Sequence, residues 1–360
     1  MSEHFKKFDW PLIFSALILI AFGLVSLYGR SGSEGLSNFK KQILWLLVGF
    51  VFMLGISFFD YRILKNYRSA IVILYGATLA LLTGVLFFGV SIRGAASWYR
   101  IGEVAIQPVE FAKIAIIAVL AKYFSMRHIE MYRVRHILIS GAYVFLPAFL
   151  VFLQPDIGSV MILFAIWVGV MILAGIKIKH LLLLAFAGMC TFLIAWSFVF
   201  HAYQKDRILA FLNPKFDPLG AGYNVSQSLI AIGSGGVWGK GIGEGSQTHL
   251  GFLPEAQTDF IYAAIAEEMG LIGVTLLLIT AIFLFWRLMS IAQNAKNNFS
   301  RLVAGGFSIM ILVQIAINIG MNLGLLPVTG VPLPFVSYGG SSMIALFVML
   351  GLLQSIKVNQ

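Results

Sequence analysis

Residues 252–286 read FLPEAQTDFIYAAIAEEMGLIGVTLLLITAIFLFW. The part from Met269 to Trp286 is an uninterrupted apolar run, which as a helix would extend about 27 Å at 1.5 Å per residue and so cross the hydrocarbon core of a bilayer. Four carboxylates stand in front of the run: Glu255, Asp259, Glu267 and Glu268. The pattern predicts a transmembrane helix that begins near Glu267 and Glu268 at a membrane surface.

The rest of the chain has the same apolar character. Of its 360 residues, 59% are hydrophobic, against about 45–50% in soluble domains. Ten apolar stretches approach the length of roughly 20 residues that crosses a bilayer core: 10–28, 42–59, 70–90, 109–124, 137–153, 157–176, 181–200, 269–286, 302–326 and 337–356. Backbone groups cannot stay unpaired in lipid, and the stretches lack the alternation of barrel strands. We therefore expect an all-α polytopic integral membrane protein with about ten transmembrane helices, forming a single domain over residues 1–360.

The positive charge indicates how the chain is oriented. Of the 25 Lys and Arg residues, 14 lie in the segments on the side of the two termini and nine on the opposite side. This bias predicts that both termini are cytoplasmic, in the inner membrane. The net charge of +10 then reports topology and contact with anionic membrane lipids rather than nucleic acid. The first stretch has no clean cleavage pattern and is expected to be retained as a helix.

One connection is much longer than the others. Residues 201–268, between the seventh and eighth predicted helices, form an extracytoplasmic loop, and long connections usually carry function. The loop contains the glycine-rich stretch IAIGSGGVWGKGIGEGSQ at 230–247. A nucleotide loop requires G-x-x-x-x-G-K-[ST], whereas Lys240 is followed by Gly241, so that function is excluded. Two interpretations stay open: a flexible or re-entrant loop, and a loop at a lipid headgroup with Lys240 facing phosphate.

Glu110 and Lys113 begin the fourth stretch, in QPVEFAKIAII at 107–117. Three residues apart, they share one helix face, and Pro108 and an early carboxylate are typical of a helix start. One interpretation is a structural ion pair. The other is a polar cavity that opens outward, because a Lys one turn inside a membrane helix is costly unless it faces protein, water or an anion.

Two further polar patterns allow two interpretations each. Arg93 and Arg100 flank Trp98 and Tyr99, which is typical of an interfacial belt and would also suit a pyrophosphate and a sugar. A stripe recurs every four residues on the ninth stretch: Gln314, Asn318 and Asn322. Such a stripe more often joins helices than binds a ligand.

Asp259 also has two interpretations. As an N-cap it would begin the eighth helix, since Asp is favoured at that position. If the helix extends back toward Asp259, the residue stands about 12 Å above Glu267 along the axis. This height is the headgroup zone, where a polyprenyl pyrophosphate places its first sugar.

Six motifs in order make the chain resemble the SEDS family (shape, elongation, division and sporulation) over essentially its whole length. They are RGAASWYRIG at 93–102, QPVEFAK at 107–113, QPDIGS at 154–159, DPLGAGYNVSQSLIAIGSGGVWGKG at 217–241, LPEAQTDFIYAAIAEEMG at 253–270 and PLPFVSYGGSS at 332–342. The resemblance implies a peptidoglycan glycosyltransferase that polymerises lipid II into glycan strands for cell elongation and shape. It also implies a class B penicillin-binding protein as the transpeptidase partner.

The resemblance assigns roles to individual residues. Asp259, in the TDF element, is implied to be essential, with Glu110 and Lys113 as functional partners. The family commonly reads P-E-x-H-T-D-F, and this chain has Gln257 where that His stands. Further supporting residues are expected in the loop and the outer motifs: Arg93, Ser234, Gln227, Lys240 and Glu255.

The chemistry of the implied reaction requires one base. A sugar hydroxyl attacks an anomeric carbon and expels polyprenyl pyrophosphate, which leaves as a stable anion and needs no protonation by a second carboxylate. Asp259 is the predicted base. The leaving charge would be stabilised by Lys113, Arg93 or Lys240, in falling order, or by a divalent cation such as Mg²⁺. The lipid tail requires a side groove open to the membrane.

Two other classes of function compete with this one. A flippase for the lipid-linked precursor would also carry intramembrane polar groups, but transporters favour broken helices and paired repeats at mid-membrane. A non-catalytic scaffold of the cell-wall complex would give no reason for the acidic and basic groups on the outer side.

Overall fold

The computed structural model describes residues 2–29, 33–92, 95–102, 104–126, 134–200, 202–213 and 220–359. The helices are α1 (Ser2–Lys6), α2 (Trp10–Gly29), α3 (Ser33–Phe58), α4 (Arg62–Asn66), α5 (Arg68–Phe88), α6 (Pro108–Ser125), α7 (Val134–Phe152), α8 (Ile157–Leu173), α9 (Ile178–Phe198), α10 (Ala202–Leu212), α11 (Ala221–Gly235), α12 (Ser246–His249), α13 (Ile261–Gln293), α14 (Asn298–Asn322) and α15 (Gly340–Val358). The strands are β1 (Val90–Ile92), β2 (Ala95–Ile101) and β3 (Val104–Ile106).

Each of the ten predicted apolar stretches coincides with a helix over most of its length, which confirms the polytopic, mainly α-helical architecture. Within the described ranges, eight helices are long and apolar enough to cross a membrane: α2, α3, α5, α7, α9, α13, α14 and α15. The remaining two stretches form α8, a shorter apolar helix, and α6, which carries Glu110, Lys113 and Lys122. That all ten cross the membrane stays a prediction.

Helix α6 lies at the centre of the bundle and is buried over most of its length. It packs against α5, α8 and α14, while α15 packs along α3 and α13 packs against α2, α11 and α14. In contrast, α9 has no buried residue, and its Phe198 side chain is 86% exposed. Large exposed apolar side chains such as this one are suited to lipid.

The connection between α5 and α6 forms a small antiparallel sheet, which the all-α prediction did not include. In the strand order β1-β2-β3, Val90 pairs with Trp98, and Tyr99 pairs with Ile106. The Tyr99 hydroxyl donates to the carbonyl of Leu81 at 2.8 Å, so the sheet is attached to the end of α5. The strands β1 and β3 have only three residues each and leave little periodicity in a sequence.

The described parts of the long segment 201–268 contain helices, which the prediction of a loop did not specify. It contains α10, α11, α12 and the first turns of α13, which begins at Ile261. Helix α11 packs against α13. The glycine-rich stretch therefore includes the last part of α11 and the turns that lead to α12.

Helix α13 is broken at Gly270, whose φ of 63° and ψ of −162° are not helical. The glycine-rich stretch supplies the missing backbone hydrogen bonds. The amides of Lys240 and Gly241 donate to the carbonyls of Glu267 and Glu268, at 3.0 Å each. In return, the amide of Leu271 donates to the carbonyl of Gly236 at 2.9 Å.

The close approach at this break requires glycine. A methyl group on Gly270 would lie 2.3 Å from the amide nitrogen of Gly239, and one on Gly239 would lie 2.2 Å from the carbonyl oxygen of Glu268. Both residues also have positive φ, which other residues adopt at a cost. The glycine-rich stretch therefore packs against α13 and supplies the backbone hydrogen bonds that the break would otherwise leave unmade.

Candidate active site

Asp259 lies immediately before α13 and is half-buried. Phe260 occupies the N-cap position of the helix, so the hypothesis that Asp259 is the N-cap is wrong. The preceding turn is the physical reason. The amides of Thr258 and Phe260 both donate to the carbonyl of Glu255, and this turn delays the start of the helix to Ile261.

Two buried amides hold the backbone at Asp259. The Nδ2 groups of Asn318 and Asn322, both on α14, each donate to the Asp259 carbonyl oxygen at 3.0 Å. Both side chains are 0% exposed. The polar stripe on α14 therefore joins α14 to the chain segment just before α13. The residue that it contacts is Asp259, the predicted base.

A second set of contacts holds the loop in front of Asp259. The Gln257 side chain accepts a hydrogen bond from Asn38 Nδ2 on α3 at 2.6 Å. The Ser337 hydroxyl donates to the carbonyl of Thr258 at 2.6 Å, and the Tyr338 amide donates to the carbonyl of Gln257 at 2.9 Å. Gln257, which replaces the expected His, thus connects the loop to α3.

The Asp259 carboxylate faces the segment that precedes the last helix. A methyl group on Gly330, whose φ is 73°, would lie 3.5 Å from Asp259 Oδ2. The same segment packs on the start of α8, because a methyl group on Gly158 would lie 2.7 Å from the carbonyl oxygen of Thr329. Asp259 is therefore close to the beginning of α8.

The beginnings of α6, α8 and α15 are joined by hydrogen bonds. Gln107, the N-cap of α6, donates its amide NH to Ser341 Oγ at 3.0 Å and its side chain to Asp156 Oδ2 at 3.2 Å. Asp156 caps α8 by accepting from the amide and the hydroxyl of Ser159. Three helix N-termini therefore meet at this end of the bundle.

Glu110 and Lys113 form an ion pair of 2.7 Å inside the protein. Their side chains are 6% and 1% exposed, so Lys113 does not line an open cavity in this conformation, contrary to that interpretation. The i,i+3 spacing predicted the pair. The low exposure arises because α6 is surrounded by α5, α8 and α14.

Glu267 is fully buried inside the protein. Oε1 accepts from the Gln247 amide and from Lys240 Nζ, at 2.9 Å each. Oε2 accepts from the amide and the hydroxyl of Thr248, at 3.1 Å each. Glu268 is also buried, with 2% exposure. Both are buried because α11 and the glycine-rich segment cover this part of α13. That they lie at the level of the outer membrane surface stays a prediction.

Lys240 and Ser234 belong to the Glu267 cluster. Besides its ion pair with Glu267, Lys240 Nζ donates to Ser246 Oγ at 2.7 Å, and its side chain is 29% exposed. The Ser234 hydroxyl lies 3.5 Å from Glu267 Oε1. In this conformation the charge of Lys240 is used inside the protein, so its predicted contact with phosphate requires the pair to open.

The other predicted residues are more peripheral. Glu255 is exposed, has a φ of 50° and accepts a hydrogen bond from the Thr258 hydroxyl at 3.0 Å. Gln227 is half-buried on α11. Arg93 lies outside the described residues.

Tyr338 adds a neutral hydrogen-bonding group beside the loop. Burial raises the pKa of the Tyr338 phenol above its usual value, and the positive charge of Lys41 partly opposes this shift. The phenol is therefore protonated at neutral pH.

The described residues do not form a metal centre of their own. Within them, no three His, Cys, Asp or Glu side chains gather closely enough to hold a metal ion. The donor set of the described residues therefore does not fit a resident divalent cation.

Comparison with known proteins assigns the family. The family profile that covers FtsW, RodA and SpoVE, described as cell cycle protein, matches residues 9–360. The chain belongs to this SEDS family. The peptidoglycan glycosyltransferase MrdB of Escherichia coli K12 is 37% identical to this SEDS chain over 353 residues, covering 98% of the chain and 94% of MrdB. Stage V sporulation protein E of Bacillus subtilis is 36% identical, with 97% and 96% coverage.

Solved structures have the same fold. A structure described as structural coordination of polymerization and crosslinking by a peptidoglycan synthase complex matches this SEDS chain with a TM-score of 0.84 and 31% identity, covering 98% of each chain. The crystal structure of the rod shape determining protein RodA of Thermus thermophilus matches with a TM-score of 0.72 and 29% identity, covering 97% and 96%.

Sequence reasoning missed several residues around Asp259 in this SEDS chain. Asn38, Gly330 and Ser337 contact the loop or its carboxylate, but none lies near Asp259 in the sequence. Gln107 and Asp156 stand inside motifs that the sequence displays, yet their hydrogen bond joins residues 49 positions apart. The i,i+4 spacing of Asn318 and Asn322 was the one available signal, and it did not reveal their target.

Proposed function

We propose that this chain polymerises lipid II into glycan strands with Asp259 as the general base. The chain is a peptidoglycan glycosyltransferase, in agreement with relatives such as MrdB. The observation that best supports the role of Asp259 is its setting: a half-buried carboxylate at the start of α13, with its backbone fixed by α14 and its side chain beside Gly330.

The reaction forms one carbon–oxygen bond and breaks another. The hydroxyl of an acceptor sugar attacks the anomeric carbon of a lipid-linked donor, and the bond from that carbon to the pyrophosphate oxygen breaks. Asp259 accepts the proton of the hydroxyl, and the polyprenyl pyrophosphate leaves as an anion. A base must lie within hydrogen-bonding distance of the proton that it removes, so the acceptor sugar is placed against Asp259 and Gly330.

The beginnings of α6, α8 and α15 support a pyrophosphate site next to Asp259. Helix N-termini carry partial positive charge that favours anions. At α8 the Asp156 carboxylate already accepts from the Ser159 amide, so α6 and α15 are the better candidates. Lys113 stands one turn inside α6 and adds a full positive charge, which Glu110 balances in the free protein. Arg93 and Lys240 remain candidates for the same charge.

An apolar groove lies between the second half of α8, the last turns of α13 and the middle of α14. It encloses about 440 Å³, and its lining includes Ala165, Gly169, Phe285, Met289, Ile309 and Val313. These side chains offer only apolar surface, which suits a hydrocarbon chain. Phe285 lies 26 residues after Asp259, near the opposite end of α13, so this groove is separate from the candidate site. The side groove for the polyprenyl tail stays a prediction.

We propose an inner-membrane location with both termini cytoplasmic and the Asp259 side outside, on the basis of the distribution of Lys and Arg. The matched structure of a peptidoglycan synthase complex supports a class B penicillin-binding protein as the partner that crosslinks the strands. The similarity to MrdB and RodA supports a role in elongation.

Reconstitution tests the proposed function. Purified protein in liposomes that contain lipid II is expected to produce glycan polymer, detected on a gel after removal of the lipid. Translocation of lipid II without polymer would instead support a flippase. If neither occurred in correctly folded protein, the scaffold hypothesis would be favoured.

The Glu110–Lys113 pair can be tested by comparing single and double variants. Lys113→Met is expected to destabilise the protein by about 3–5 kcal/mol, because it leaves a buried carboxylate without its partner, and to abolish polymerisation. Glu110→Gln combined with Lys113→Met removes both charges, so thermal unfolding should return close to that of the wild type. Activity should stay low in the double variant if Lys113 contacts the pyrophosphate. Recovery of activity together with stability would show that the pair is only structural.

A further inference from the structure

We infer that Asn318 and Asn322 are positioning residues for Asp259, an inference that rests on the proposed role of Asp259 as the base. The carbonyl of Asp259 precedes the N-cap Phe260, whose own carbonyl accepts the first α13 hydrogen bond, from Ala264. The Asp259 carbonyl therefore lies outside the helix ladder and needs partners from elsewhere. Both partners come from α14.

The orientation of each amide is determined by its partners. Asn318 Nδ2 donates to the carbonyl oxygens of Asp259 and Val331, at 3.0 and 2.8 Å, and a carbonyl oxygen can only accept. Asn322 Nδ2 donates to the Asp259 carbonyl, while its Oδ1 accepts from the Ala263 amide at 3.2 Å. Asn322 therefore holds both the residue before the helix and the first turn of the helix.

Asn318 sets the width of the space beside the carboxylate. Through one NH₂ group it connects Asp259 to Val331, and the residue before Val331 is Gly330, which faces Asp259 Oδ2. The two chain segments that bound the carboxylate thus have a common anchor, buried at 0% exposure. Without Asn318, two buried carbonyls would lose a donor and the two segments could separate.

The same helix offers a matched control. Gln314 lies one turn before Asn318 in the same stripe and is 2% exposed. Its Oε1 has no hydrogen-bond partner within the described part of the chain. Gln314 therefore shares the helix, the burial and the amide group of Asn318, but not the contact with the loop.

Three variants of nearly unchanged side-chain size test the inference: Asn318→Leu, Asn322→Leu and Gln314→Met. Each is purified as the full chain, reconstituted with lipid II, and assayed per folded molecule for kcat, KM and the pH profile of kcat. For the two Asn variants, kcat is expected to fall about a hundred-fold, as for a reacting group displaced by about 1 Å. KM should change little, and the acid limb of the profile should move. Gln314→Met should resemble the wild type in all three.

Asn318→Ser keeps the inference testable if Asn318→Leu does not fold, because the shorter side chain retains one hydroxyl donor and should give an intermediate kcat. A kcat and a pH profile in the folded Asn variants equal to those of Gln314→Met would overturn the inference. Asp259→Asn in the same assay separates the two proposals. If it polymerises lipid II, the proposed base is wrong; if it is inactive while the Asn variants are normal, only the positioning role is wrong.

Discussion

Asp259→Asn is expected to reduce polymerisation of lipid II on the order of a thousand-fold, the range in which removal of a general base falls. Asn has nearly the shape of Asp but cannot accept the proton of the attacking hydroxyl. The contacts from Asn318 and Asn322 involve the backbone carbonyl, which the substitution leaves in place. The loss is therefore expected in kcat, with normal expression and membrane insertion, measured as polymer formed by the purified variant in liposomes.

Glu244→Gln is the matched control for this variant. Glu244 is an exposed carboxylate in the same long segment, and its replacement removes the same charge away from the start of α13. It should polymerise at the wild-type rate. Polymer from purified Asp259→Asn at a rate close to that of Glu244→Gln would exclude Asp259 as the base.

Glu267→Ala is expected to cause a large loss of stability, about 3–5 kcal/mol, as for a buried ion pair that loses one partner. The carboxylate holds the amides of Gln247 and Thr248 and the ammonium of Lys240. Without this carboxylate, the glycine-rich segment, which packs against the break at Gly270, loses its main side-chain contact with α13. The prediction is checked by thermal unfolding of the purified protein and by limited proteolysis of residues 236–250.

Limited proteolysis distinguishes local loosening of the glycine-rich segment from a loss of stability of the whole protein. The glycine-rich segment should be cut faster in Glu267→Ala than in the wild type, whereas Glu244→Gln should be cut at the wild-type rate. Activity should also fall. The break at Gly270 lies about 16 Å along α13 from Asp259, so loosening of the helix at the break is expected to displace Asp259. Unchanged unfolding and unchanged cleavage would show that Glu267 does not anchor the segment.

The helices were predictable from the sequence, whereas the break in α13 was not. Each apolar stretch is long enough to need a helix in lipid, so its length alone indicates the structure. From Met269 to Trp286 the sequence is uniformly apolar, and nothing in it shows that Gly270 is not helical. The compensating groups, from Gly236 to Gly241, lie about 30 positions earlier. The break is tolerated in a membrane helix because these groups form the backbone hydrogen bonds that the helix lacks there.

In the candidate site, only contacts between residues close together in the sequence could be predicted. Glu110 and Lys113 are three residues apart on one helix, so their spacing predicted the ion pair. The burial of Glu267 was not predicted, because α11 and the glycine-rich segment, which cover it, lie 19 or more positions earlier in the sequence. The ion pair between Lys240 and Glu267 was also not predicted, because the two residues are 27 positions apart. Without that partner, a phosphate of the ligand was the available counter-charge for Lys240.

By itself, the sequence determined that the chain crosses a membrane repeatedly as helices, and its motifs pointed to the SEDS family and to Asp259. Hydrophobic length and local motifs are properties of neighbouring residues, so they can be read without the fold. The tertiary structure decided which groups surround Asp259: two Asn side chains from α14 behind it, Gly330 in front of it, and Gln257 linked to α3. These contacts join residues 59 to 219 positions apart, and hydrogen bonds at such separations exist only after the helices have packed.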